Sequence, residues 1–559
     1  MLTTATGLRD RLQAARFDLE TEAVEPARVE REAIVTQLDD YVLPRLRDLD
    51  APALAVVGGS TGSGKSTLLN SLIGAEVSKP GVLRPTTSSP VLVHHPDAAR
   101  WFADDRILPG LARVTGGPSA GPNELGLVAS ATLPAGLALV DTPDIDSVAD
   151  RNRALASQLL DAADLWLFVT TAARYADAVP WGFLRRAARR GVGIALVLNR
   201  VPPGARDAVV PHLSEMLSAE GLGGAPVFVI DEQPLEDGRI PAHHVQPVLD
   251  WLKELASDQA ARAELIRGTL LGTVTEIGVR TQAVAAAADH QVAVIGWLRD
   301  RAEDRFAAAR SQIHDDVRDG TVMRGEVLAR WQDLVGTGDL LRQLQSTIGG
   351  WRDRLTAAIT GRPTSGDRFQ GAIESGVETL LRARLGDAAE HTAADWRTHP
   401  AGIALLAASD TVLERPSDDL PERAGRMVRD WQGALLELLR SEGSSRRSAA
   451  RVLSYGVNGV ALVLMVAIFA QTGGLTGGEV AVAGGSSALG QKVLEAVLGD
   501  QAVRRLAATA RADLDERTAV LVDEERSRFT DALAGAHVDI TLPDDLRRLA
   551  HELRRGVGA

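Results

Sequence analysis

Hydrophobic and polar positions follow two different periods along this chain, and the change falls near residue 256. From Ala53 to about Leu255, short apolar runs alternate with helical stretches. The runs are Leu54–Val57, Val91–Val93, Leu137–Val140, Leu165–Val169, Ile194–Leu198 and Val227–Ile230. Strands alternating with helices predict a mostly parallel sheet covered on both faces. From Ala256 onward the strand signals stop. Between Gln259 and Asp319, residues such as Ile266, Leu270, Val274, Ile277, Val284, Leu298, Phe306, Ile313 and Val317 recur at three, four or seven positions. That is one helical face, and unbroken it would run roughly 90 Å. Gly268, Gly272, Gly278 and Gly296 predict local bends in it.

Flanking segments are helical too. Residues 5–48 read as two amphipathic helices broken near Glu25-Pro26, and Ala502 to about Leu533 returns to a charged helical pattern. Turn-rich punctuation falls at 361–366 and 415–421. Long helices leaving and returning predict an elongated antiparallel bundle. The expected organisation is N-terminal helices packing on the trunk (1–50), an α/β domain (51–257), a helical trunk (258–450), a hydrophobic segment (451–500) and returning trunk helices (501–559).

The hydrophobic segment stands apart from its neighbours. Val452 to Ala470 is uncharged and almost wholly apolar, the length needed to cross a hydrocarbon core. A glycine-rich tract follows from Thr472 to Leu489. Arg446, Arg447 and Arg451 precede the segment and Arg504 and Arg505 follow it, where they could meet anionic headgroups. Membrane contact through 452–489 is the expectation, whether by spanning or dipping in. A helix buried inside the bundle has the same composition and stays open.

Bulk composition narrows the partners. The 559 residues carry a formal net charge of −13, which gives nucleic acid no overall attractive field. There is no cysteine, so disulfides, thiolate metal sites and cysteine nucleophiles are excluded. The charged N-terminus, Met1 to Asp18, has no apolar stretch of signal-peptide length, so the expected location is cytoplasmic, on the cytoplasmic face of the cell membrane. Lysine is confined to Lys65, Lys79, Lys253 and Lys492.

Lys65 belongs to the most specific motif in the chain. Gly59-Ser60-Thr61-Gly62-Ser63-Gly64-Lys65-Ser66, followed by Thr67, fills every slot of the phosphate-binding loop G-x-x-x-x-G-K-[ST]. An apolar strand precedes it and a helical stretch follows, which is the context the motif requires. Its glycines let backbone N–H groups turn toward a phosphate, and the helix N-terminus adds partial positive charge. Lys65 would reach the β- and γ-phosphates, and the Ser66 hydroxyl would ligate Mg²⁺. These residues predict a nucleoside-triphosphate site.

Other segments sort the motif among its relatives. The loop also resembles that of ABC-transporter ATPases, but their Leu-Ser-Gly-Gly-Gln signature and Asp-Glu strand end are missing here. Instead, Leu137–Val140 ends in Asp141-Thr142-Pro143, and a polar segment, Leu83 to Ser88, lies between the loop helix and the next strand. This order resembles the first three elements of translation-factor-class GTPases. With the helical C-terminal half and late hydrophobic segment, the chain looks most like the bacterial dynamin-like proteins. The motif resemblance covers residues 53–230; beyond them it rests on architecture.

The resemblance implies a P-loop GTPase domain followed by a membrane-contacting helical trunk. It implies GTP and Mg²⁺, membrane binding, and homo-oligomers or hetero-oligomers with a related GTPase; the flanking arginines point to anionic lipid, and the departures from the family's motifs predict slow hydrolysis. Thr87, or Thr86, would ligate Mg²⁺ and sense the γ-phosphate, and Asp141 would hold the metal through a water. Lys65 and Thr87 carry catalysis in this picture, which is mostly positioning and charge neutralisation. Asn199-Arg200 would take the place of the guanine-reading Asn-Lys pair. Three departures matter. Asp144 stands where the third motif has glycine, Ile145 follows it in place of a glutamine, and Pro202 replaces the aspartate that selects guanine. GTP is the nucleotide implied, with ATP left open, and Asp207 or Asp231 could substitute for the missing carboxylate.

Overall fold

The computed structural model describes residues 1–79, 89–104, 106–115, 123–147, 149–319, 321–323, 365–442 and 500–557, with 326, 327, 329, 330, 333, 463–465 and 468 besides. The chain divides into two compact units. One comprises residues 1–17, 22–290 and 539–559, and the other residues 18–21 and 291–538.

The first unit is built on an eight-stranded sheet in the order β3-β4-β2-β5-β1-β6-β7-β8. The strands are β1 Ala53–Gly59, β2 Val91–His94, β3 Ala112–Thr115, β4 Glu124–Ala129, β5 Leu137–Asp141, β6 Leu165–Thr171, β7 Gly193–Val201 and β8 Val227–Asp231. Every pairing is parallel except β2 with β5. All six predicted apolar runs form strands. The two unpredicted strands, β3 and β4, carry the weakest pattern: β3 has only four residues, none of them buried, and lies at the sheet edge.

Each face of the sheet has its own core, as alternating side chains on a doubly covered sheet require. Leu54, Val56, Val140, Trp166, Phe168 and Leu196 point to one face, and Ala55, Val57, Leu139, Leu167, Val169 and Val197 to the other. The covering helices include α4 Lys65–Ile73, α6 Asp150–Asp161, α7 Ala178–Arg190, α8 Arg206–Ala219 and α9 Ala242–Ser257. Earlier in the chain lie α1 Leu2–Ala14, α2 Val24–Gln37 and α3 Leu43–Arg47, and the short α5 Ala99–Phe102 falls between α4 and α6. The break between the first two helices falls at 15–23, and Pro26 lies inside the first turn of α2, where its missing N–H removes no helical bond.

Helix α10, Gln259–Arg318, is a single 60-residue α-helix. Its first part packs with the N-terminal helices and with α15, Leu542–Val557, through Leu8, Leu12, Tyr41, Leu270, Val274, Ile277, Leu546 and Leu553. Gly272 admits a close approach: a Cβ there would lie 1.8 Å from the Arg190 carbonyl oxygen. Buried Asp164 ties the N-terminal segment to the sheet. It accepts from the Leu54 N–H at 2.8 Å and the Tyr41 hydroxyl at 3.0 Å, and pairs with Arg45.

The second unit is all helical. It contains the rest of α10, α11 Ser365–Trp396, α12 Pro400–Ala408, α13 Leu420–Glu442 and α14 Asp500–Ala534. Trp396 and Trp431 are fully buried and still satisfy their indole N–H groups, on the Leu298 and Ala510 carbonyls at 2.9 Å each. Most of the predicted 452–489 segment lies outside the described residues. Its described members, Val463, Leu464, Met465 and Ile468, are at most 2% exposed and belong to this unit's core. Among the described residues, no helix is long and apolar enough to cross a membrane.

Candidate nucleotide site

The phosphate loop leaves the C-terminal end of β1, a central strand, and closes on the N-terminus of α4, as strand–loop–helix chemistry demands. Gly64 caps α4 in the left-handed region, φ 94°. Ser60, Ser63 and Lys65 are buried, while Gly62 is exposed at the loop's tip. Thr61, Gly64, Ser66 and Thr67 are partly exposed.

Three further segments converge on this loop, from the ends of β5, β6 and β7. The first follows β5. Asp141 accepts from the Ser66 hydroxyl at 2.5 Å and the Ser78 hydroxyl at 2.6 Å. It is fully buried, and burial raises its carboxyl above the usual range against the pull of Ser66, Ser78 and Lys65. Asp144 pairs with the Lys65 ammonium at 2.5 Å, and that ammonium also donates to the Ser60 carbonyl at 3.1 Å. Asp146 accepts from the Thr61 N–H at 2.6 Å and the Thr61 hydroxyl at 2.8 Å.

The second segment follows β6. Arg174 donates to the Thr61 carbonyl at 2.8 Å, to Asp146 at 2.7 Å and to Asp177 at 2.8 Å. Burial works against the Asp146 charge, but the Thr61 donors and Arg174 outweigh it and hold the carboxyl below its ordinary value. The third segment ends β7. Asn199, 4% exposed, donates through Nδ2 to the Ser63 carbonyl at 2.9 Å and accepts from the Arg200 N–H at 3.0 Å. Arg200 adopts φ 52°, unusual for a residue with a side chain, and is exposed.

Two acids are candidates to substitute for the aspartate that Pro202 displaces. Asp231 lies beside Val201 in the β7–β8 register, with Arg206 at 3.9 Å. Asp207 lies in the first turn of α8. The segment Leu83 to Ser88, and with it Thr86 and Thr87, falls outside the described residues.

The donor set fits a hydrated magnesium ion. Among the described residues, buried Asp141 Oδ1 has no hydrogen-bond partner, and neither do Ser60 Oγ and Ser63 Oγ. An unmatched carboxylate oxygen beside Ser66 suits a metal-bound water, because a buried acceptor left empty is costly. Sequence reasoning did not find Ser78, Asp146 or Arg174. Ser78 is placed by Asn70, whose side-chain carbonyl accepts the Val77 and Ser78 N–H groups at 2.9 Å each. The run Asp141-Thr142-Pro143-Asp144-Ile145-Asp146 was the available signal for Asp146. A separate cavity of about 270 Å³ lies among Asp40, Tyr41, Arg45, Trp101 and Arg106, and no phosphate-loop residue lines it.

No family model matches the chain, and no curated protein matches it. The similar solved structures include bacterial dynamins. Two such structures, described as an oligomerised bacterial dynamin pair that provides a mechanism for the long-range sensing and tethering of membranes, have TM-scores of 0.41. The first is 10% identical, spanning 99% of this chain and 94% of that one; the second is 11% identical, spanning 98% and 96%. A variant of SsGBP, 15% identical, matches 43% of this chain and 67% of its own with a TM-score of 0.19. The fold described above rests on this chain's own strand order and packing.

Proposed function

We propose that this chain is a dynamin-like GTPase that couples binding and slow hydrolysis of GTP to self-assembly and membrane binding. The observation that carries the nucleotide part is the convergence of Lys65, Ser66, Asp141 and Asn199 on one loop at the ends of β1, β5 and β7. In this reading the loop from Gly59 to Thr67 cradles the phosphates and Lys65 neutralises their charge. Ser66 and Asp141, with Thr87, would hold Mg²⁺, which would supply positive charge to offset that of the phosphates. Asn199 keeps the loop open by tethering Ser63, and the stem of Arg200 covers the base. Lys65 and Thr87 are the catalytic pair.

Lipid binding is assigned to 452–489 together with the arginines flanking it. Nucleotide-driven pairing, with a second copy or with a related GTPase, is the assembly step. The experiment is phosphate release and liposome co-sedimentation on the full chain and on K65A. Nucleotide-dependent release and pelleting that K65A loses would support the reading. Release and pelleting unchanged by K65A would reject it. A second reading, a nucleotide switch without a lipid role, is favoured by one observation: Val463, Leu464, Met465 and Ile468 are buried in protein. Nucleotide binding without any liposome pelleting would select it.

A further inference from the structure

The loop after β5 presents two carboxylates to the phosphate loop, and both engage donors of the kind a phosphate would use. Asp144 holds the Lys65 ammonium at 2.5 Å, with the two side chains only 9% and 5% exposed. Asp146 takes both the N–H and the hydroxyl of Thr61. Between them Ile145 is fully buried in the core on one face of the sheet, so the backbone is anchored where the acids turn toward the loop. A turn from Ser147 N–H to the Asp144 carbonyl, 3.2 Å, and the Ile145 N–H on the Gly59 carbonyl, 3.4 Å, complete the arrangement.

The two acids are not equivalent. Asp146 is braced by Arg174, which also holds the Thr61 carbonyl. Asp144 has Lys65 as its salt-bridge partner among the described residues, and Lys65 is the residue a triphosphate must recruit. A charged, hydrogen-bonded carboxylate–ammonium pair in a buried site is among the stronger polar contacts. It offers Lys65 one negative oxygen, the chemical kind of partner that a phosphate would supply.

We propose that Asp144 is an internal stand-in for a terminal phosphate: it occupies Lys65 until a nucleoside triphosphate displaces it, and so sets the affinity of the loop. This rests on the nucleotide-site reading above. Asp146, with Arg174 and Ile145, is the fixed point about which the displaced segment moves. The apparent affinity is then the intrinsic one reduced by the fraction of molecules in which Lys65 is released. A triphosphate must evict Asp144 completely, whereas a diphosphate presents less charge on that side, so the carboxylate weighs more heavily against the triphosphate.

The test is calorimetric titration of the full chain with GTP·Mg²⁺, ATP·Mg²⁺ and GDP·Mg²⁺, comparing wild type, Asp144→Asn, Asp144→Ser and Asp144→Glu, with circular dichroism to verify folding. The expected result is triphosphate binding about tenfold tighter or more in D144N and D144S, a smaller gain for GDP, and D144E within a few-fold of wild type. Unchanged or weaker triphosphate binding in whichever neutral variant folds would overturn the stand-in role while leaving the nucleotide site intact. Absence of binding by wild type and every variant would overturn the nucleotide-site reading and this role with it.

Discussion

Asn199 acts as a buckle between β7 and the phosphate loop, and two glycines of that loop allow its contribution to be measured. Both Gly62 (φ 76°) and Gly64 (φ 94°) occupy the left-handed region, where a side chain costs about 1–2 kcal/mol. Their surroundings differ. A Cβ on Gly62 meets nothing within 4 Å, whereas one on Gly64 would lie 2.5 Å from Asn199 Nδ2. G62A therefore has only the backbone penalty. G64A must also push Asn199 off the Ser63 carbonyl, leaving a buried acceptor short of its donor at about 1–3 kcal/mol more. At roughly 2–4 °C per kcal/mol for a domain of this order of size, G64A should melt roughly 2–12 °C below G62A. Its affinity for GTP·Mg²⁺ should fall further as well, because the loop loses its tether. In the G64A/N199A double variant the clash is gone, so the combined loss should be smaller than the sum of the two single losses. Differential scanning fluorimetry and nucleotide titration on the four variants decide the matter. Equal behaviour of G62A and G64A, or simple additivity with N199A, would refute the buckle.

Other expectations concern stability and the hydrophobic segment. Asp40 is 5% exposed, and burial, reinforced by Asp39 and Asp161 and opposed by the Gln158 hydrogen bond, raises its carboxyl from 3.8 to about 6. The native state therefore binds the proton more tightly than the unfolded chain. Wild type should lose about 3 kcal/mol relative to D40N in all as pH rises from well below 4 to above 7, of which about 2 kcal/mol falls between pH 4.5 and 7.5; denaturant melts at those two pH values that show no such difference would contradict this. The opposite sign applies to Asp539, which Arg11 holds down at about 2, so removing it with D539N should flatten the loss of stability between pH 4 and 2. Leu464 is fully buried, so L464A should lower the second unit's stability by about 2–5 kcal/mol in denaturant unfolding. A change below 0.5 kcal/mol, the usual size for an exposed position, would argue that this stretch is not core.

Some of this was legible in the residues and some was not, for physical reasons. The six apolar strands announced themselves because a sheet covered on both faces leaves no polar alternation inside its central strands. Strand β3 did not, because an unburied edge segment such as Ala112–Thr115 needs little hydrophobic signature. The length of α10 followed from its period, whereas the close approach of the Arg190 backbone that Gly272 admits has no local signature. At the site, the octet from Gly59 to Ser66 was readable because its chemistry is local. The bracing of Thr61 by Asp146 and Arg174 joins residues 85 and 113 positions apart, and no local pattern encodes such a pairing. For 452–470, apolar composition alone does not separate a helix surrounded by protein from one surrounded by lipid.

The central claim is that the loop from Gly59 to Thr67 takes a nucleoside triphosphate through Lys65. The most direct measurement is an equilibrium titration of the purified full chain and its K65A variant with GTP and ATP in the presence of Mg²⁺. Wild type should show one saturable site per chain, with GTP bound more tightly than ATP, and K65A should show no measurable site. Absence of binding by wild type, or binding that K65A leaves intact, would contradict it.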